Sequence, residues 1–178
     1  MSYKVGDFVV HESSGVCKIT DISDMELMGK GSMKTYYTMV PVYKTTAQVF
    51  VPLEGAMIRL RDVSSENEIK GLFDGIADID VIAEPNDRVR VELFKDTMNK
   101  FTLEDLASVV KTALLRKWIR MASGKKVMAS DEKVLAIAGK KLYEEIAFTL
   151  SEDVLEIQNR FEEAVRENSD SSIEKLIV

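Results

Sequence analysis

The sequence predicts an α+β fold in which a small β-barrel is followed by a compact all-helical domain. Short runs rich in β-branched and aromatic residues, separated by Gly and Ser, fill the first 62 residues. From Ser64 onward, apolar residues recur at helical spacing instead. With 178 residues, the chain is long enough for two small domains. We therefore expect a barrel over 1–63, a helical bundle over 64–168 and a frayed C-terminal tail over 169–178.

Four strands are predicted in the barrel, each bounded by turn residues. They cover residues 7–11, 16–22, 35–43 and 47–51. Gly15 marks a hairpin connection, because glycine adopts a positive φ without steric cost. Pro52 ends the last strand, since proline has no N–H to donate to a neighbouring strand. If this last strand lies at the edge of the barrel, its free backbone groups can pair with a strand of another protein.

The helical domain is predicted from apolar spacing and from capping residues. Four apolar residues share the first helical face: Ile69, Leu72, Phe73 and Ile76. Further helices are predicted over residues 87–101, 102–121 and 130–146, and from a cap at 151–153 to about 168. Thr102 is the expected N-cap of the second of these, with Glu104 and Asp105 in its first turn. Short connections between helices are typical of a compact bundle.

The net charge of −6 is unevenly distributed along the chain. Residues 1–62 carry seven basic and seven acidic side chains, and the last forty-eight residues are acidic. Residues 106–130 contain no acid but six cations: Lys111, Arg116, Lys117, Arg120, Lys125 and Lys126. This basic segment alone is expected to approach phosphate groups.

Composition argues against a secreted, membrane-spanning or catalytic protein. Cys17 is the single cysteine, so no internal disulfide forms, and no leader peptide is recognisable at the start. The apolar runs are shorter than the roughly 18 to 20 residues that a membrane span needs. His11 and Cys17 stand alone as candidate base and nucleophile, and no zinc cluster is possible without further His or Cys. We expect a cytoplasmic protein with no enzymatic activity and no cofactor.

Several short motifs stand out in the first sixty residues. These motifs are Lys4-Val5-Gly6-Asp7, Val9-Val10-His11, Gly15-Val16, Tyr36-Tyr37 and Val49-Phe50-Val51-Pro52 with Arg59. Together they resemble the N-terminal module of the CarD/CdnL family, which also occurs in transcription-repair coupling factor. The resemblance implies a Tudor-like (SH3-like) barrel that binds the β subunit of RNA polymerase. It also implies a helical domain that approaches promoter DNA at the upstream edge of the opening bubble, and a helix start at Ser130.

The resemblance implies a polymerase-binding surface on the last strand of the barrel. Its expected residues are Met25, Gln48, Val49, Phe50, Val51 and Pro52. Family members often carry arginine at the positions of Met25 and Phe50, so apolar contact replaces ion pairing here. In the alternative interpretation, Phe50 packs on a neighbouring loop or covers the helical domain.

The resemblance also implies DNA-binding residues in the helical domain. The candidates are Arg88, Arg90, Lys111, Arg116, Lys117, Trp118, Arg120, Lys125 and Lys126. Cations of this kind position a protein on the phosphate backbone without reading sequence. Relatives place a wedge tryptophan after an asparagine, whereas here Asp87 follows Asn86. Trp118 offers another stacking surface; alternatively it packs in the core, because it lies at helical spacing from Leu114 and Leu115.

Two functional hypotheses follow from these observations. The first is a monomeric transcription regulator that binds the polymerase β subunit and approaches promoter DNA without sequence-specific contacts. The second is a protein-interaction module that has lost DNA binding and presents an acidic surface to another protein. That surface would consist of Glu144, Glu145, Glu152, Asp153 and Glu156.

Overall fold

The structure is a computed structural model, and it describes residues 3–27, 29 and 31–177. The chain divides into two compact units, Met1–Val63 and Ser64–Val178. The first unit is built mainly of strands and the second of helices. Met28 and Lys30 lie outside the described residues.

The first unit contains a five-stranded antiparallel sheet. Its elements are β1 (Phe8–His11), β2 (Gly15–Met25), β3 (Lys34–Pro41), β4 (Val49–Pro52), α1 (Ala56–Arg59) and β5 (Leu60–Asp62). The strand order is β4-β3-β2-β1-β5. The pairings found among the described residues do not join β4 to β5, so closure into a barrel stays a prediction. Neither α1 nor β5 was predicted as an element.

One face of the sheet holds the core of the first unit. Buried apolar side chains from all five strands meet there, among them Val9, Cys17, Met39, Val51 and Leu60. The register of β2 and β3 shifts between Ile19 and Asp21. Thr20 is the extra residue at this bulge, and its hydroxyl donates to the Thr38 carbonyl at 3.1 Å.

The second unit contains seven α-helices among its described residues. They are α2 (Glu66–Asp74), α3 (Asp87–Lys100), α4 (Leu103–Ala122), α5 (Ala129–Val134), α6 (Lys140–Leu150), α7 (Val154–Glu167) and α8 (Asp170–Ile177). Thr102 caps α4 as predicted, accepting a hydrogen bond from the Asp105 N–H at 3.1 Å. The helix predicted to start at Ser130 begins at Ala129, after a Met128 N-cap that makes no side-chain capping bond.

A short π-helix joins α5 to α6 without a break in helical backbone. It covers Leu135–Gly139, and its flanking residues keep right-handed helical dihedrals. Gly139 ends this π-helix, and a Cβ there would lie 3.1 Å from Cε2 of Tyr143, so a larger residue would make that ring shift by a few tenths of an ångström. The missing side chain lets the Tyr143 ring pack directly against this segment.

Helix α4 is the centre of the helical unit. Seven consecutive residues, 109–115, are buried, so other elements cover this part of the helix on every side. Its neighbours in the core include Phe94 of α3, Ile146 of α6 and Phe161 of α7. Within the described part of the chain, no helix is both long and apolar enough to cross a membrane.

The C-terminal segment is helical, which corrects the prediction of a frayed tail over residues 169–178. Helix α8 covers Asp170–Ile177, and Ser169 and Ser172 are buried. Ile173 and Leu176 pack against the core of the helical unit. The segment is short and largely polar, so its two apolar anchors give only a weak periodic signal. Val178 lies outside the described residues.

Candidate functional site

Strand β4 lies at one edge of the sheet. It pairs with β3 in the register Thr38↔Phe50, and the described residues supply no strand on its other side. Gln48 and Phe50 are exposed, the latter by 40%, whereas Val51 is buried. The structure therefore has the predicted alternation, and the alternative in which Phe50 is covered does not describe it.

The backbone of Phe50 points toward the free edge of the sheet. The Leu53 N–H donates to the Thr35 carbonyl at 2.9 Å, so these residues form a hydrogen-bonded pair of the ladder. Hydrogen-bonded and non-hydrogen-bonded pairs alternate along antiparallel strands. Val51 therefore bonds with Tyr37, whereas the N–H and C=O of Phe50 face away from β3. A partner strand can extend the sheet by pairing with these groups.

Exposed apolar side chains follow β4 along the chain. Leu53, Met57 and Ile58 are all exposed, and Ile58 retains 78% of its accessible surface. Several exposed apolar side chains within six residues favour a binding surface here. Met25 was predicted to contribute to the same surface, but it is half-buried in β2, and β3 separates that strand from β4. The structure therefore does not place Met25 on the free edge.

Lys111 belongs to the core of the helical unit. Its side chain is fully buried, and its ammonium donates hydrogen bonds to the carbonyls of Ile76, Ala77 and Ile79 at 2.8, 3.0 and 2.8 Å. Burial lowers the pKa of this ammonium. The prediction that Lys111 contacts DNA is wrong, because the helix is covered at this point and the charge is used to hold the chain that follows α2.

Replacing Lys111 by methionine is expected to destabilise the protein by about 2–3 kcal/mol, because three carbonyls lose their common donor. The free energy of unfolding is measured by urea titration with circular dichroism. Lys126→Met is the control, since Lys126 is exposed and should tolerate the same change within about 0.5 kcal/mol. Equal stability of the two variants would contradict the structural role of Lys111.

Arg90 is also buried, and it belongs to an ion-pair cluster that we define as Arg90, Asp87, Arg116 and Asp131. Arg90 donates from Nη1 to the Glu84 carbonyl at 2.9 Å and from Nη2 to Asp87. Its Nε lies 3.9 Å from Oδ1 of the fully buried Asp131. The other oxygen of Asp131 accepts from Nε of Arg116 at 3.2 Å. The prediction that Arg90 contacts DNA is therefore wrong, since its donors act within the fold.

The acids of the cluster offset part of the positive charge predicted for this region. Arg116 is only 15% exposed and lies 3.8 Å from Asp87 as well as bonding Asp131. The hydrogen bond from Arg90 holds the pKa of Asp87 below its usual 3.8. Asp87 is therefore ionised at neutral pH, and its stabilising contribution is lost only as the pH falls through that lowered pKa.

Five of the predicted DNA-binding cations remain accessible. Arg88, Lys125 and Lys126 are exposed, and Lys117 and Arg120 are half-buried. The Nε of Arg120 donates to the Lys126 carbonyl at 2.7 Å and so secures the turn after α4. Gly124 permits this turn through its positive φ of 67°. Four of these cations, all except Arg88 on α3, thus lie close together in sequence around the end of α4.

Trp118 packs partly against the core of the helical unit. It is half-buried, and the Arg166 guanidinium of α7 lies 4.8 Å from the centre of its ring. A cation over an indole face is a favourable contact that also holds the ring in place. The core alternative therefore describes Trp118 better than a free stacking surface does.

The two residues considered for catalysis both lie within the sheet. His11 is buried, and its Nδ1 accepts a hydrogen bond from the Ser14 N–H at 3.2 Å. Burial raises the pKa of the Cys17 thiol to about 11, which makes it a poor nucleophile at neutral pH. The described residues contain no group of three or more side chains suited to hold a metal ion.

The acidic surface of the second hypothesis is not formed as predicted. Glu145 is buried, and it accepts hydrogen bonds from the N–H and hydroxyl of Ser64 at 3.1 and 2.7 Å. Glu144 pairs with Lys140 at 2.9 Å, and Glu152 with Arg160 at 3.0 Å. Asp153 and Glu156 are exposed, so the predicted acidic surface is reduced by the burial of Glu145 and the two ion pairs but is not abolished.

Comparison with known families identifies the class of the first unit. Residues 3–64 match the family model described as the CarD-like/TRCF RID domain. The match coincides with the sheet whose edge strand is β4, and it confirms the resemblance predicted for this part of the chain. Comparison with curated proteins gave no match.

Over residues 3–64, the first unit therefore matches a CarD-like/TRCF RID domain. The match ends where the helical unit begins, so it assigns no role to helices α2 to α8. The function of those helices has to be argued from their own side chains.

Proposed function

We propose that this chain is a bacterial transcription regulator that binds the β subunit of RNA polymerase through β4 and contacts promoter DNA through its helical unit. It acts by binding, without catalysis or a cofactor, and it influences the formation of the open promoter complex. The β subunit as the target, the DNA contact and the effect on promoter opening are all parts of the proposal. A cytoplasmic location and action as a monomer are consistent with it.

The free edge of β4 is the observation that carries the polymerase part of the proposal. The outward N–H and C=O of Phe50 offer main-chain bonds, and the exposed side chains of Phe50, Leu53 and Ile58 offer apolar contact. Main-chain pairing supplies affinity in sheet extension, and alternate side chains supply specificity. An apolar edge of this kind favours a partner whose own edge strand is apolar rather than acidic.

The cations at the end of α4 support the DNA part of the proposal. Lys125 and Lys126 are exposed, and Arg120 is half-buried beside them. A few cations of this kind bind the phosphate backbone weakly and without sequence preference. Because the wedge tryptophan of relatives has no counterpart at Asp87, we propose backbone contact without insertion between base pairs.

Binding of the intact chain to core RNA polymerase and to the isolated β subunit tests the polymerase part. Biolayer interferometry is suitable, because it gives both affinity and dissociation rate. We expect similar dissociation constants for the two targets. Binding to core polymerase but not to the β subunit would move the docking site to another subunit, and binding to neither would refute the proposal.

Salt dependence tests the DNA part. Binding to a fluorescent promoter duplex is expected to weaken as salt rises, with a log–log slope of about −0.9 for each phosphate that is neutralised. The double variant K125Q/K126Q should lower the magnitude of this slope by about one to two units. A duplex affinity that does not change with salt would exclude contact with the phosphate backbone.

A further inference from the structure

A basic recess lies between the end of α4 and helix α8. It has a volume of about 270 Å³ and is lined by Arg116, Ile119, Arg120, Ser123, Lys125 and Leu176. Three of these residues are cations, and no carboxylate is among them. Recesses with several cations and no acid are suited to anions.

The donors that face this recess are only partly used by the protein. Arg120 uses its Nε to bond the Lys126 carbonyl, and Arg116 uses its Nε to bond Asp131. The terminal nitrogens of Arg120 and the ammonium of Lys125 make no hydrogen bond or ion pair with another described residue. A ligand with several acceptor oxygens can therefore bond groups that the fold leaves available.

The nearby acids do not occupy the recess. Asp131 is fully buried between Arg90 and Arg116, and Asp87 accepts its hydrogen bond from Arg90. Neither lines the recess. Its net charge therefore stays positive, although Arg116 shares its charge with these two acids.

We infer that this recess binds a phosphate group. A guanidinium presents a planar pair of donors that fits two phosphate oxygens, and a lysine adds a point charge to the same anion. The inference rests on the proposed function in one respect, because the DNA backbone is one of two sources of this phosphate. The other source is a free phosphorylated small molecule, and the chemistry of recognition is the same for both.

Helix α8 gives the recess one of its walls. Leu176 lines it, and it also lines a second recess of about 210 Å³ together with Arg116 and Lys175. The C-terminal helix thus adds an apolar wall to the first recess, whereas Lys175 lies 3.8 Å from Asp80 and does not line that recess. The second recess is lined by Ala83 and Pro85 but also by the acid Glu84, so it suits the apolar part of a phosphate ester rather than a second phosphate.

Two neighbouring lysines provide a matched test of this inference. Lys125 lines the recess and Lys126 does not, although both are exposed and adjacent in sequence. Lys125→Gln and Lys126→Gln remove the same charge from almost the same place. Binding of pyrophosphate to the full-length chain is measured by isothermal titration calorimetry, and Arg120→Gln serves as a second variant of the recess.

We expect one pyrophosphate per chain, with affinity lowered about tenfold by Lys125→Gln or Arg120→Gln and less than about twofold by Lys126→Gln. Absence of pyrophosphate binding overturns the inference. Equal effects of Lys125→Gln and Lys126→Gln also overturn it, because they would indicate diffuse attraction rather than a defined recess.

A DNA competition experiment distinguishes the two sources of phosphate and separates this inference from the proposed function. Pyrophosphate that displaces the promoter duplex indicates that the recess holds a backbone phosphate. Pyrophosphate that binds without displacing the duplex indicates a free ligand. If pyrophosphate binds and the duplex does not, the DNA part of the proposed function fails while the recess stands. If only the duplex binds, the inference about the recess fails while the DNA part of the proposed function stands.

Discussion

Replacing Phe50 by proline is expected to weaken binding to core RNA polymerase about 100-fold, and replacing it by alanine about tenfold. Alanine removes the exposed aromatic contact but keeps the backbone N–H that faces the free edge. Proline removes both. Because that N–H is not used in the ladder with β3, proline at this position should leave the sheet intact. Biolayer interferometry with immobilised polymerase measures the three affinities.

A matched control for these variants lies in the same sheet. Phe8 is 41% exposed, nearly as much as Phe50, but its strand β1 lies between β2 and β5. Phe8→Ala should therefore bind polymerase like the unchanged protein. Equal affinity of Phe50→Pro and Phe50→Ala would mean that docking uses the side chain without sheet extension. Wild-type affinity in both would place the polymerase-binding surface elsewhere on the molecule.

The strands were predictable where local signals are strong. Glycine at position 15 and proline at position 52 both stand at strand boundaries, as predicted, because their backbone constraints act within one or two residues. The three-residue strand β5 carries no such signal. It exists because Leu60 and its neighbours pair with β1, about fifty residues earlier in the chain. Pairing over that distance depends on the whole sheet, so the local sequence pattern does not predict it.

The edge position of β4 also depends on pairing between distant parts of the chain. Alternation between Val49 and Pro52 indicates a half-exposed strand, but it does not say whether another strand lies beyond it. The strand order decides this, and the order is set by tertiary pairing. The resemblance to a known domain indicated that β4 is an edge strand that binds a partner. The structure then showed which backbone groups of this strand face outward.

The basic segment was harder to interpret, because a count of charges carries no information about burial. Lys111 and Lys125 look alike in sequence, yet the first binds three carbonyls in the core and the second is exposed. Surface helices reveal their buried face through periodicity. Helix α4 is covered on all sides between residues 109 and 115, so its cations cannot be sorted by periodicity. Asp131, the partner of two arginines, is also buried, and its charge in the sequence does not indicate this burial.

Replacing Asp131 by asparagine is expected to lower the free energy of unfolding by about 3–5 kcal/mol. The change keeps the shape of the side chain but removes the only fully buried carboxylate among the described residues that pair with Arg90. Arg90 is itself fully buried, so its charge would be left with Asp87 alone. Urea unfolding followed by circular dichroism measures the loss. Asp96→Asn, an exposed change on α3, should shift stability by less than about 0.5 kcal/mol.

Pyrophosphate binding by Asp131→Asn distinguishes the two roles of Arg116, which belongs both to the ion-pair cluster and to the basic recess. Arg116 bonds Asp131 and also lines the basic recess, so losing the acid frees part of its charge for a ligand. If the asparagine variant is studied below its unfolding transition, pyrophosphate should bind at least as tightly as it does to the unchanged protein. Weaker binding would mean that Asp131 orients Arg116 for the ligand, and that the ion-pair cluster belongs to the binding site rather than only to the fold. Stability and affinity measured on this one variant therefore decide whether the cluster supports the recess or competes with it.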